Sequence, residues 1–158
     1  MKNFLAMSVV LASSAVAHAG GIAGSVGVGA EAQLSGLRGL SINYDADKFH
    51  VGGFLGLDDQ RGPDNTRFDV GGRFYYHVGT TASSDFGVGG GLGIESTYVA
   101  PAERRTYLFL EPGFQIRMFV VPNVALSFTG GFSIGAADAS SLEIDGDITG
   151  GAGVHYYF

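Results

Sequence analysis

The chain contains no cysteine and no tryptophan. Without cysteine it has neither disulfides nor thiolate metal sites, which suits an exported protein that needs no redox staple. Basic residues are scarce: nine Lys and Arg stand against fifteen Asp and Glu, a formal net charge of −6. This balance disfavours a nucleic-acid partner, because such binding rests on cations that neutralise phosphate. No apolar run reaches the roughly 20 residues that a spanning helix needs. The stretch from Phe4 to Ala17 is shorter and is broken by small residues. After it, no segment shows helical periodicity.

That first stretch has the organisation of a secretory signal peptide. Lys2 is the charged start, Phe4–Ala17 the apolar centre, and Ala17-His18-Ala19 an A-x-A cleavage site. Residues 1–19 are therefore expected to be removed, leaving 20–158 as one domain. Loss of Lys2 leaves eight basic residues against fifteen acidic ones, a net charge of −7. A lipid anchor would need a cysteine at the cleavage point, and there is none.

Glycine is abundant, 27 of 158 residues or 17%, against an ordinary usage of about 7%. It follows no Gly-X-Y period, which excludes collagen, and an apolar content of 46% excludes simple disorder.

The informative signal is strict alternation. In Ser25–Ser35, Val26, Val28, Ala30, Ala32 and Leu34 share one parity, and Ser25, Gly27, Gly29, Glu31, Gln33 and Ser35 share the other. A strand separates these sets cleanly, whereas a helix mixes them. The pattern recurs near 39–46, 49–58, 67–78, 85–95, 107–118, 126–135 and 142–158. It predicts an all-β chain of eight antiparallel strands. Asp45-Ala46-Asp47-Lys48 and Val121-Pro122-Asn123 read as tight turns. Asp58–Thr66, Val99–Arg105 and Ala136–Ser141 read as longer polar loops. Pro112 lies inside the sixth strand, where the missing N–H predicts a bulge or kink.

Period-two strands can close into a barrel that is apolar inside or apolar outside. Three features favour apolar outside. The polar parity is crowded with glycine, notably Gly87, Gly89, Gly91 and Gly93, which a narrow lumen needs and a solvated face does not. Its charges are mixed in sign and can pair across a lumen. Aromatics including Tyr44, Phe49, Phe74, Tyr76, Phe86, Tyr156 and Phe158 gather near strand ends, where a membrane girdle belongs. The expected fold is an eight-stranded up-and-down transmembrane barrel, with short turns in the periplasm and longer loops outside.

The terminal segment Val154-His155-Tyr156-Tyr157-Phe158 resembles the C-terminal signature of outer-membrane barrel proteins, with Val154, Tyr156 and Phe158 on the apolar parity. The resemblance implies recognition by the barrel assembly machinery. The chain from residue 20 onward resembles, in architecture, the small eight-stranded OmpA-like and OmpX-like barrels. It implies a location in the outer membrane of a Gram-negative bacterium, in contact with lipid and lipopolysaccharide.

Among candidate chemistries, Arg73 and Arg117 with Glu95 and Glu111 form the expected lumen charge network, with Glu31 and Asp69 on the same parity. Buried charges persist only when paired. His50, His77 and His155 share that parity but have no ligand spacing such as H-x-x-x-H, so they are expected to be three separate residues at different heights, with no metal. Glu143, Asp145 and Asp147, and Asp58, Asp59 and Asp64, lack a calcium-loop pattern and read as an acidic rim. Gly27–Ala32 fits G-x-G-x-x-A in spacing but falls mid-strand, so it is no dinucleotide site.

The expected function is a non-enzymatic barrel with a sealed polar lumen and no cofactor, structural or presenting its outer loops to an extracellular ligand. A narrow channel for small solutes or ions is one alternative. A lipid A-modifying enzyme is another, disfavoured because no histidine is expected beside a serine at the outer end.

Overall fold

A computed structural model describes residues 22–59, 65–137 and 144–158. The expected signal peptide at 1–19, Asp64 and Glu143 lie outside these residues, as do the side chains of Asp145 and Asp147. The strands are β1 Val26–Ala32, β2 Arg38–Ala46, β3 Phe49–Asp59, β4 Thr66–Thr80, β5 Ser84–Ala100, β6 Glu103–Val121, β7 Val124–Ala137 and β8 Ile144–Tyr157. Each pairs antiparallel with its neighbour in sequence, and β8 pairs back onto β1, so the sheet closes. Closure leaves no strand of the wall without a neighbour on both sides. The described residues contain no helix.

Alternation sorts the side chains as the pleat requires. Along β2, Leu40, Ile42 and Tyr44 face outward and are exposed, while Ser41, Asn43 and Asp45 face inward and are buried. Along β5, Phe86, Val88, Leu92 and Ile94 are outside and Asp85 is inside. The wall is therefore apolar outside and polar inside, the reverse of a water-soluble barrel. Tyr44, Phe49, Phe74 and Tyr76 cluster toward the β2–β3 turn, with the Phe49 and Phe74 rings 5.4 Å apart. Tyr156 and Phe158 stack edge to face at 5.1 Å.

The tight turns form where predicted. Asp47 takes a left-handed φ of 54° between β2 and β3, a conformation that Asp tolerates. Pro122 and Asn123 join β6 to β7. Gly27–Ala32 lies within β1 and meets no helix.

Three details differ from the sequence reading. β1 ends at Ala32 rather than near Ser35, and Leu34 is 3% exposed instead of facing outward. The chain turns into the barrel at this point, so the alternation is broken. Val99–Arg105 is no extended loop. Only Pro101 and Ala102 separate β5 from β6, and Thr97 and Tyr98 pair with Arg105 and Arg104. These strand ends are polar on both faces, which erased the alternating signal. Finally, Pro112 causes no register shift. Its pairing with Gly90 of β5 is regular, while the ladder to β7 only lapses between Leu110↔Ile134 and Gly113↔Gly131. Glycines flank the proline closely: a methyl group on Gly131 would collide with the Pro112 carbonyl. The bulges lie elsewhere, at His77/Gly79, Tyr98/Ala100 and Phe119/Val121.

Candidate functional site: a three-tiered lumen

The inward residues of all eight strands meet in three tiers. The lowest lies at the end carrying the β2–β3 and β6–β7 turns. Here Phe119, Ala125 and Tyr157 make an apolar floor. Arg117, 2% exposed, stands on it, with its guanidinium 5.2 Å from the Phe119 ring centre and 5.5 Å from that of Tyr157. Its Nε donates to Asp85 Oδ2 at 2.7 Å, and its Nη1 donates to Asp45 Oδ2 at 2.8 Å and to the Tyr157 hydroxyl at 2.9 Å. Removing one partner of a buried ion pair costs about 3–5 kcal/mol, because the other charge remains without compensation.

The middle tier centres on Glu31. Arg73 forms a buried ion pair with it, and Arg73 Nη2 donates to Asn43 Oδ1 at 2.8 Å. Gln33 Nε2 donates to the other Glu31 oxygen at 2.5 Å. His155 Nε2 lies 2.6 Å from Ser41 Oγ and 3.5 Å from Glu31 Oε2.

The upper tier is the inturned segment 33–37. Gly36 adopts φ of 85°, and the Gln33 amide donates to the Leu37 carbonyl at 2.7 Å. Side chains from two strands hold this turn. Glu111 of β6 accepts the Ser35 amide at 2.6 Å, Asp69 of β4 accepts the Arg38 amide at 3.2 Å, and Arg67 donates to the Gly36 carbonyl at 3.1 Å. Arg67 also binds Asp69 at 2.9 Å and Glu95 at 3.2 Å. Leu37 is fully buried against Gly93, and Leu34 sits over Gly131. Phe54, inward on β3, fills the space over Gly71. The lumen glycines thus have a specific use: a methyl group at Gly93 would strike Leu37 Cδ1. The turn works as an internal plug at the mouth.

All six charged residues of the expected network are inside, but they do not form the expected constellation. Arg73 pairs with Glu31, Glu95 and Asp69 share Arg67, and Glu111 holds the plug. Arg117 pairs with Asp45 and Asp85, which the sequence reading left out of the network. One signal could have found Asp85: it shares the inward parity of Arg117, and folding β5 onto β6 about Pro101–Ala102 brings it within one residue of Arg117, the bulge at Tyr98/Ala100 then setting the two directly opposite. Asp45 reaches Arg117 across the lumen, which local register does not reveal. Val154 and Phe158 face outward, and Tyr156 shares their parity, half-buried.

The histidines require a correction. His50 and His77 are not separate: His50 Nδ1 lies 2.8 Å from His77 Nε2, since β3 and β4 bring their inward sides together. Only His155 stands apart, in the middle tier. Its contact with Ser41 and Glu31 brings together the residue types of a hydrolytic triad. Both partners, however, meet the same nitrogen, whereas a triad has the acid orient Nδ1 while Nε2 serves the hydroxyl. Ser41 and His155 are 7% and 1% exposed, enclosed at mid-barrel. Of the acidic rim, Asp58 pairs with exposed Arg38 at 3.3 Å and Asp59 accepts from Thr66 at 2.9 Å.

No protein-family model matches the chain, and neither a curated protein nor a solved structure matches it.

Proposed function

We propose that this chain is an integral outer-membrane barrel of a Gram-negative bacterium whose lumen is sealed, and that its role is structural or one of surface interaction. The observation that carries this reading is the polarity of the wall. Leu40, Leu57, Leu92, Phe132 and their neighbours expose a continuous apolar exterior, far more than a soluble monomer tolerates, around a core of ion pairs. A closed barrel also leaves no backbone group unsatisfied toward lipid. The outward Val154 and Phe158 on the closing strand fit recognition by the barrel assembly machinery, and the architecture fits a kinship with the small OmpA-like and OmpX-like barrels.

Sealing rests on the tiers. From Leu37 through Glu111, Glu31 and Arg73 to Arg117, each level is filled by side chains no more than 7% exposed. Above the wall, β5 beyond Ser96 and β6 before Tyr107 pair only with one another among the described residues, forming a protruding polar hairpin. It is the surface offered to an extracellular partner. The non-enzymatic reading is supported by the Ser41–His155 pair, which is enclosed and has both partners on one nitrogen.

The test combines fractionation with conductance. The protein should sediment with outer membranes, migrate differently in detergent before and after boiling, stay silent in planar bilayers, and leave lipid A masses unchanged on overexpression. A soluble periplasmic protein would refute the location. Steady openings that change in Arg117→Ala would favour the narrow channel.

A further inference from the structure

Asp45, His50 and His77 converge at the turn end of the lumen, each with a ligand atom within 4.8 Å of the others. We propose that they form a binding site for one transition-metal ion of the Zn²⁺ or Cu²⁺ class, reached from the mouth beside the β2–β3 turn. Two imidazole nitrogens and one carboxylate match the preference of these ions, and not that of Ca²⁺ or Mg²⁺, which take oxygen ligands.

Proton positions support the site. His77 Nδ1 lies 3.0 Å from the Asp47 carbonyl, which can only accept, so Nδ1 carries the proton and Nε2 presents a lone pair. That lone pair faces His50 Nδ1, which must therefore donate. A backbone carbonyl fixing the far nitrogen of a ligand histidine is the usual outer support of a metal site.

With its proton on Nδ1, His50 leaves Nε2 as a buried acceptor with no donor among the described residues. Gln115 lies beside it, and Gln115 Oε1 is a second buried acceptor in the same condition, its Nε2 already donating to Thr129. Both residues are 2% exposed. Leaving buried polar atoms unmade is costly. Moving the His50 proton from Nδ1 to Nε2 gives Nε2 a donor's role toward Gln115 Oε1. It also frees the Nδ1 lone pair beside that of His77. The proton is only relocated, and two lone pairs then converge where one hydrogen bond had been. A small separation of the rings from 2.8 Å admits the ion.

Asp45 and Asp85 both lean on Arg117, so two carboxylates share one guanidinium. Asp45 Oδ1 touches Arg117 Nη2 at 2.8 Å without forming a hydrogen bond, which leaves it lone-pair capacity for a metal. His77 is half-buried and forms the open side. An entering ion meets it first.

The experiment uses the untagged barrel in detergent micelles, titrated separately with Zn²⁺ and Cu²⁺. One ion per chain is expected, and the Cu²⁺ electron paramagnetic resonance spectrum should carry hyperfine structure from two imidazole nitrogens. His77→Gln should weaken binding about tenfold or more and leave one nitrogen. Gln115→Leu should weaken it about tenfold while keeping both, through the lost support of His50 Nε2. Unaltered heat-modifiable migration shows that each variant is folded. The proposal is overturned if the wild-type barrel takes up no stoichiometric ion, or if His77→Gln binds with the same affinity and spectrum. It is also overturned if the two histidines merely share a proton, in which case Zn²⁺ leaves their imidazole NMR signals unmoved.

Discussion

At the turn end of the barrel, Arg117 is held by regular strands: Asp85 from the neighbouring strand, Asp45 from across the lumen, Tyr157 from the last strand. At the opposite end the lumen is closed by a departure from regularity, where residues 33–37 leave β1 and fold inward over Gly93 and Gly131. Both ends are filled by buried side chains, but their costs differ. The floor depends on charge compensation in a low-dielectric site, so it fails all at once when one partner is lost. The plug depends on fit and a few hydrogen bonds, so it fails by degrees.

Arg117→Leu should separate the two most sharply. It leaves Asp45 and Asp85 buried without a cation and should cost about 3–5 kcal/mol, seen as a lower urea midpoint for the barrel in lipid vesicles. A loss as small as that of an exposed pair would mean that the floor is hydrated. Next, Gly93→Ala drives a methyl into Leu37 and should cost about 1–3 kcal/mol by overpacking, with much of it recovered in Gly93→Ala combined with Leu37→Ala. Recovery in the double variant, read by the same titration, distinguishes displacement of the plug from damage to β5. Glu111→Gln keeps an acceptor for the Ser35 amide but removes its charge. It should cost about 1 kcal/mol and raise proteolytic nicking at 33–37 before any change in heat-modifiable migration. Arg105→Ala breaks the exposed pair with Glu103 and a surface contact with Tyr107 on the protruding hairpin, and should leave the midpoint unchanged.

The same contrast explains how much was legible in the sequence. Strands, parity and tight turns follow from a period of two, which local residues impose on themselves. Arg117 and Asp85 were separately readable as inward, and the hairpin centre brings them within one residue of register, which the bulge at Tyr98/Ala100 completes. The plug was not readable. Leu34 continues the apolar parity of β1 and turns inward because of what lies across the lumen, namely Gly131 on β7, which makes room for it as Gly93 on β5 does for Leu37. A cavity built from distant strands leaves no local mark on the segment that fills it. The His50–His77 contact was hidden for a related reason: 27 residues separate them in sequence, and their meeting depends on how β3 and β4 lean at the rim. Their spacing carries no motif because a sheet, not a helix turn, brings them together.

The most direct measurement is the power saturation of a nitroxide attached at Leu92→Cys, on the outer face of β5, with the barrel in lipid vesicles. Molecular oxygen, which concentrates among acyl chains, should relax the label far more than a water-soluble nickel chelate. A label relaxed chiefly by the chelate would mean that this face meets water, contradicting a barrel that is apolar toward lipid and charged within.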